Sequence, residues 1–175
     1  MKTLYLMRHG KSAWDNPELA DHERPLAPRG VRAATRVARH LKRRGVRPDL
    51  IVCSTARRAA DTADRVADEL EVGVPVERER GLYLCGAPAL VQRLRDLPDS
   101  AGMVLLVGHN PDLHDAALAL VDESPLAANP TDFRALSAKF PTAACVALEF
   151  SVDRWRDIAP HAARLLEYIQ PRKPD

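Results

Sequence analysis

The sequence predicts a three-layer α/β/α sandwich around a mostly parallel sheet with an antiparallel edge. Three observations carry this. Apolar runs at residues 2–8, 50–54 and 102–108 are interleaved with segments of helical periodicity, the alternation that builds a parallel sheet with helices on both faces. The run at 102–108 is continuously apolar, as in a central strand covered on both sides. Two further strand-like runs, 144–150 and 154–160, follow one another with only Ser151-Val152-Asp153 between them, which places the antiparallel edge.

The first strand spans residues 2–8. A long polar segment follows, residues 9–29, with Pro17, Pro25 and Pro28; a segment of that length inside a compact domain is often functional. Residues 30–45 form an amphipathic helix, since Val31, Ala34, Ala38 and Leu41 recur every three or four residues and Gly45 is a stop signal. The basic residues from Arg36 to Arg47, with His40 among them, are the solvated face of that helix. Strand 50–54 leads into a helix from Arg57 to Leu70 with Ala59, Ala63, Val66, Ala67 and Leu70 on one face. Val74-Pro75-Val76-Glu77 is a short, peripheral strand, because proline removes a ladder donor. Helices at 88–97 and 112–121 flank the strand 102–108, and Asp112 suits the positive end of the latter. Residues 122–141 read as mostly irregular, and the tail 169–175 as frayed.

At 175 residues, with 46% hydrophobic and 29% charged residues and a formal net charge of +2, the chain reads as a single domain over 1–175 with a sizeable core. That charge gives no strong pull toward nucleic acid or an anionic membrane, so neither is expected as a partner. Cys53, Cys85 and Cys145 are odd in number and far apart, as reduced thiols would be. Without a long apolar stretch or a signal-peptide pattern, a cytoplasmic protein is expected.

The chemistry lies where strands end. Arg8-His9-Gly10 follows the first, Ser54-Thr55-Ala56-Arg57 closes the second, and Gly108-His109-Asn110-Pro111 closes the fourth. Ligands of open α/β sheets bind beyond the carboxyl ends of the strands. A phosphoryl group needs positive charge and fixed donors around its oxygens, and the planar fork of arginine matches two of them. Arg8 and Arg57 are the expected clamps, with His109 a third donor. His9 is the candidate nucleophile, since neutral imidazole can hold a phosphoryl group covalently and neighbouring cations favour the neutral form. His22, in the first loop, is a further residue that could touch substrate. His40, His114 and His161 read as packing or surface residues, and His109 and His114 are not at a metal-pair spacing.

The run Leu6-Met7-Arg8-His9-Gly10-Lys11-Ser12-Ala13-Trp14, then Arg24-Pro25-Leu26 with Arg29-Gly30, Ser54 through Ala59 with Thr62, Val107 through Pro111, and Lys139-Phe140-Pro141-Thr142-Ala143 together resemble the histidine phosphatase superfamily, phosphoglycerate mutase-like in fold, and within it the small phosphohistidine phosphatases of SixA type. The resemblance covers roughly residues 2–160. It implies a metal-independent phosphatase that forms a phosphoenzyme on His9, with Arg8, Arg57 and His109 as the phosphate pocket, Ser12, Arg24 and Asn110 around it, and no cofactor. The implied substrate is a phosphohistidine protein. A small phosphate ester, or binding without turnover, are the alternatives. Where larger relatives carry an acidic proton donor, this chain has Gly81. Glu79 and Asp21 are the remaining candidates for that acid.

Overall fold

The computed structural model describes residues 1–171. Six strands form one sheet: β1 (Lys2–Arg8), β2 (Leu50–Ser54), β3 (Val76–Glu79), β4 (Met103–Gly108), β5 (Cys145–Phe150) and β6 (Arg164–Ile169), in the order β3-β2-β4-β1-β5-β6. The pairs β1–β4, β2–β4 and β2–β3 are parallel, while β1–β5 and β5–β6 are antiparallel. The helices are α1 (Pro28–Arg43), α2 (Arg57–Leu70), α3 (Ala87–Arg95), α4 (Asp112–Leu120) and α5 (Pro130–Ala138). The predicted three-layer sandwich with an antiparallel edge is the observed fold.

Side chains alternate across the pleat, so each central strand feeds two cores. Leu4, Leu6, Val52, Val104, Leu106, Val146 and Leu148 pack on the face that carries Leu90 and Leu94 of α3, Leu113 and Leu120 of α4 and Leu136 of α5. Tyr5, Met7, Ile51, Cys53, Leu105 and Val107 meet Ala34, Val37 and Leu41 of α1 and Ala59, Ala63 and Val66 of α2. Burial on both faces is why these strands read as unbroken apolar runs. Cys53 and Cys145 lie in the second core and Cys85 is partly exposed; all three are free thiols.

Four expectations need correction. Residues 122–141 contain α5, started by Asn129, whose side-chain oxygen accepts the amides of Thr131 (2.9 Å) and Asp132 (3.3 Å), with Pro130 in the first turn; that is a capping signal present in the sequence. The last strand is not 154–160 but Arg164–Ile169. The earlier segment is a short 3-10 turn at Trp155–Asp157, pinned because the Trp155 indole donates to the Ala101 carbonyl (2.8 Å) and its amide to Asp99 (2.9 Å). A register shift between Ala147 and Leu148 breaks the β5–β6 ladder, and with it the alternation that would have revealed β6. The tail expectation fails at Ile169, which pairs with Cys145; residues 172–175 lie outside the described residues. β3 starts two residues later than expected but is at the sheet edge.

Candidate active site

The ladder register brings the strand ends together. Arg8 pairs with Gly108, and Met7 and Cys53 both pair with Val107, so Arg8-His9, Ser54 and Gly108-His109 emerge at one edge of the sheet. The His9 amide donates to the Gly108 carbonyl (3.1 Å). The loop then turns under α1, and the approach is too close for side chains: a Cβ on Gly10 would sit 2.7 Å from the Gly30 carbonyl oxygen, and one on Gly30 would sit 2.2 Å from that of Lys11. From the other side, the Thr62 hydroxyl of α2 accepts the Gly10 amide (3.0 Å) and donates to the Arg58 carbonyl (2.7 Å).

His9 and His109 are buried, with ring centroids 5.2 Å apart. His9 Nδ1–H donates to the Gly10 carbonyl (2.7 Å), which puts the lone pair on Nε2. Burial pulls its pKa down to about 4; Arg58 and Arg8 act in the same direction and the Gly10 hydrogen bond opposes them. His109 is lowered to about 3, by burial first and then by His9 and Arg58. Both rings are therefore neutral at pH 7. Among the described residues, the buried side-chain nitrogens and oxygens without a hydrogen-bond partner are Arg8 Nε and His109 Nδ1. Both belong to this site, where an anion would satisfy them.

Of the two adjacent arginines on α2, the structure selects Arg58 and turns Arg57 away. Arg57 is half exposed and faces Asp61 one turn on, at 3.7 Å. Arg58 is only 5% exposed. It lies close enough to Arg8, His9 and His109 to lower the pKa of all three. The reason is helical geometry: successive residues project about 100° apart. Arg58 shares its side of α2 with buried Thr62 and Val66, whereas Arg57 continues into Asp61, Asp64, Arg65 and Asp68. That periodicity was in the sequence and distinguishes the two.

The other expected residues divide. Ser12 and Arg24 are buried against each other: Arg24 Nη2 donates to Ser12 Oγ (2.6 Å), Nε to the Ala13 carbonyl (3.1 Å) and Nη1 to Asp21 (3.2 Å), with the Trp14 ring stacked on the guanidinium. This ties the first loop to itself instead of offering donors to a ligand. Asn110 is likewise occupied; its amide donates to the Phe140 carbonyl (2.8 Å), which also accepts Arg8 Nη1 (3.1 Å). It steadies Arg8 indirectly. Both His22 nitrogens are engaged, Nδ1 with Glu23 and Nε2 with Thr55 Oγ1, each at 2.8 Å. His40, His114 and His161 bond to Glu167, the Leu136 carbonyl and the Val121 carbonyl, as packing residues do.

Both candidate acids are held by fixed donors. Asp21 accepts from the Tyr83 hydroxyl, from Arg58 (3.0 Å) and from Arg24, and these bonds, Tyr83 first, lower its pKa to about 2. It serves as an ionised latch that holds the first loop against Arg58. Glu79 is held by two nitrogens of Arg93, one at 2.7 Å. Tyr83 belongs to none of the sequence motifs, yet its ring lies edge-on to His109 at 5.5 Å and to His22 at 4.9 Å. Its position just after β3, opposite the end of β2, was the available signal.

Among the described residues no group of three or more His, Cys, Asp or Glu side chains is placed to hold a metal ion, and no helix is long and apolar enough to cross a membrane.

Known proteins share this fold. The family model described as histidine phosphatase superfamily (branch 1) matches residues 4–83. An uncharacterized protein of Mycobacterium tuberculosis is 32% identical over 166 residues, covering 95% of this chain and 100% of the relative. A candidate SixA phosphohistidine phosphatase from Nakamurella multipartitia superposes with a TM-score of 0.79 at 30% identity, covering 97% of this chain and 96% of that one. A second, from Agrobacterium tumefaciens, gives 0.80 at 27% identity, covering 97% and 98%. A SixA protein histidine phosphatase complexed with tungstate shares the fold, with a TM-score of 0.76 at 22% identity, covering 97% of each chain. With paired histidines and arginines at one sheet edge and these relatives along its whole length, the chain belongs to the histidine phosphatase superfamily and is a phosphatase of the SixA type.

Proposed function

We propose that this phosphatase removes phosphate from phosphohistidine on a protein, through a phosphohistidine intermediate on its own His9. His9 Nε2 attacks phosphorus, with Arg8, Arg58 and His109 receiving the phosphoryl oxygens. The substrate's P–N bond breaks and its electron pair goes to the departing imidazole nitrogen. Water then attacks the phosphoenzyme, the His9–phosphorus bond breaks with its electron pair returning to Nε2, and inorganic phosphate leaves with both protons of the water.

The observation that carries the choice of substrate is the engagement of both candidate carboxylates. Asp21 is fixed ionised by Tyr83, Arg58 and Arg24, and Glu79 is clamped by Arg93. An alkoxide leaving group, whose conjugate acid is about as weak as water (pKa about 15.7), needs a proton as it departs. Imidazole already protonated on its other nitrogen leaves neutral, and its conjugate acid has a pKa of about 6.5. The site therefore suits phosphohistidine, and activated aryl phosphates, better than alkyl esters. The test is kcat/KM on a phosphohistidine peptide against glycerol and sugar phosphates. Equal or better turnover of the alkyl esters would overturn the reading. Glu79→Gln should stay within about threefold of wild type, since the side chain serves an ion pair with Arg93; a large loss would identify it as the acid. An absence of turnover on every substrate would favour a binding module.

A further inference from the structure

We infer that Ser54 fixes the tautomer of His109 and so makes this second histidine a neutral N–H donor toward the phosphoryl group. The inference rests on the phosphate-binding reading of the site and assigns a positioning role to a residue that touches no substrate.

Ser54 ends β2 and is fully buried. Among the described residues its Oγ has two partners, the Ala56 amide at 3.1 Å and His109 Nε2 at 2.8 Å. A backbone amide can only donate, so Oγ accepts there. Oγ keeps a second lone pair, but its own proton has no other acceptor among the described residues, so it goes to His109 Nε2, which then presents its lone pair. Neutral imidazole carries its proton on one nitrogen, and here that nitrogen is Nδ1. It is the atom of His109 that is buried without a partner.

His9 has the opposite arrangement: its Nδ1–H is spent on the Gly10 carbonyl and Nε2 is bare. Two neutral rings 5.2 Å apart thus offer complementary chemistry, a lone pair for phosphorus and an N–H for a phosphoryl oxygen. Protonating His109 would also supply that N–H. Its burial and the facing charges of Arg58 and Arg8, however, favour the neutral ring. The other groups that face it are His9, Asp21 and the Tyr83 ring. Without the serine, nothing would prevent the proton from residing on Nε2, and a lone pair would then oppose the negative oxygens. The same hydroxyl, by accepting the Ala56 amide at the start of α2, also ties the entry of the helix that carries Arg58.

The experiment is nitrogen-15 NMR of the full chain with labelled histidine, alongside kinetics of Ser54→Ala and Ser54→Thr. Wild-type His109 should show a protonated Nδ1 and a bare Nε2 at pH 7, and Ser54→Ala should move the proton wholly or partly to Nε2. On an aryl phosphate, Ser54→Ala should lose on the order of tenfold or more in kcat, below the full 10²–10³ loss of a deleted donor, with KM little changed. Ser54→Thr, which keeps the hydroxyl, should retain the wild-type nitrogen pattern. A proton on Nε2 in the wild type would overturn the inference, as would an unchanged rate or an unchanged nitrogen pattern in Ser54→Ala. Full activity of His9→Ala would instead remove the phosphate-site reading and leave the tautomer measurement standing.

Discussion

Replacing each of two adjacent arginines by alanine separates a site cation from a surface cation. Arg58 is 5% exposed and donates through Nη1 to the Asp21 carbonyl (2.7 Å) and through Nη2 to its carboxylate (3.0 Å). It stands against both histidines. Removing it deletes a preorganised donor for developing phosphoryl charge, worth about 10²–10³ in kcat, or about 3–4 kcal/mol. It also releases the latch of the first loop, so Tm should fall, on the scale of about 1–3 kcal/mol for a lost charged hydrogen-bond partner. His9 should titrate higher, because a cation that disfavours imidazolium is gone. Arg57 is 55% exposed with one carboxylate at 3.7 Å. An i,i+4 surface pair of that kind contributes about 0.3–0.5 kcal/mol, so Arg57→Ala should stay within about twofold in rate. The assay is kcat/KM on an aryl phosphate, with histidine NMR titration and thermal melts of both variants. A loss in Arg57→Ala equal to or larger than that in Arg58→Ala would refute the reasoning. Arg58→Lys should recover little, since an ammonium cannot reproduce the fork.

His9→Ala should abolish turnover with the fold intact, and quenched wild-type reactions should contain a phosphoenzyme that is acid-labile and stable in alkali; residual activity within about tenfold would exclude His9 as nucleophile. The pH dependence follows from the lowered histidines: kcat/KM limited by the free His9 imidazole should hold steady from pH 7 to about 5 and fall as it protonates near 4. Stability should decline over pH 6.5 to 4, because the unfolded chain binds protons there that the buried rings refuse, by about 3 kcal/mol for His9 taken alone; an increase in stability over that range, followed by urea unfolding, would show the sign is wrong. Gly30→Ala forces a Cβ to within 2.2 Å of the Lys11 carbonyl oxygen, so it should lower Tm by overpacking, about 1–3 kcal/mol, and reduce kcat by displacing the nucleophile loop; a variant with wild-type Tm and rate would show that the loop yields freely.

The local signals in this chain were strong where the chain's own periodicity sets the structure. Apolar strands, the helices they feed and the Arg8-His9-Gly10 and Gly108-His109 turns were readable, because burial on both faces of a sheet imposes continuous hydrophobic runs and because strand ends deliver their polar residues to one edge. The same periodicity would have selected Arg58 over Arg57, and the Asn129 cap would have revealed α5. Other features depended on partners distant in sequence. β6 was masked by an irregularity in its pairing with β5, and Trp155 was held by Asp99 and Ala101, some fifty residues away. Asp21 became an ionised latch only because three donors from three segments converge on it. Glu79 is clamped by Arg93 on α3, and Ser54 acquires its role only because β2 and β4 align it with His109. Residue types announce which chemistry is available; the burial that lowers a histidine pKa and the bonds that spend or spare each donor arise only from side chains brought within a few ångströms by the fold.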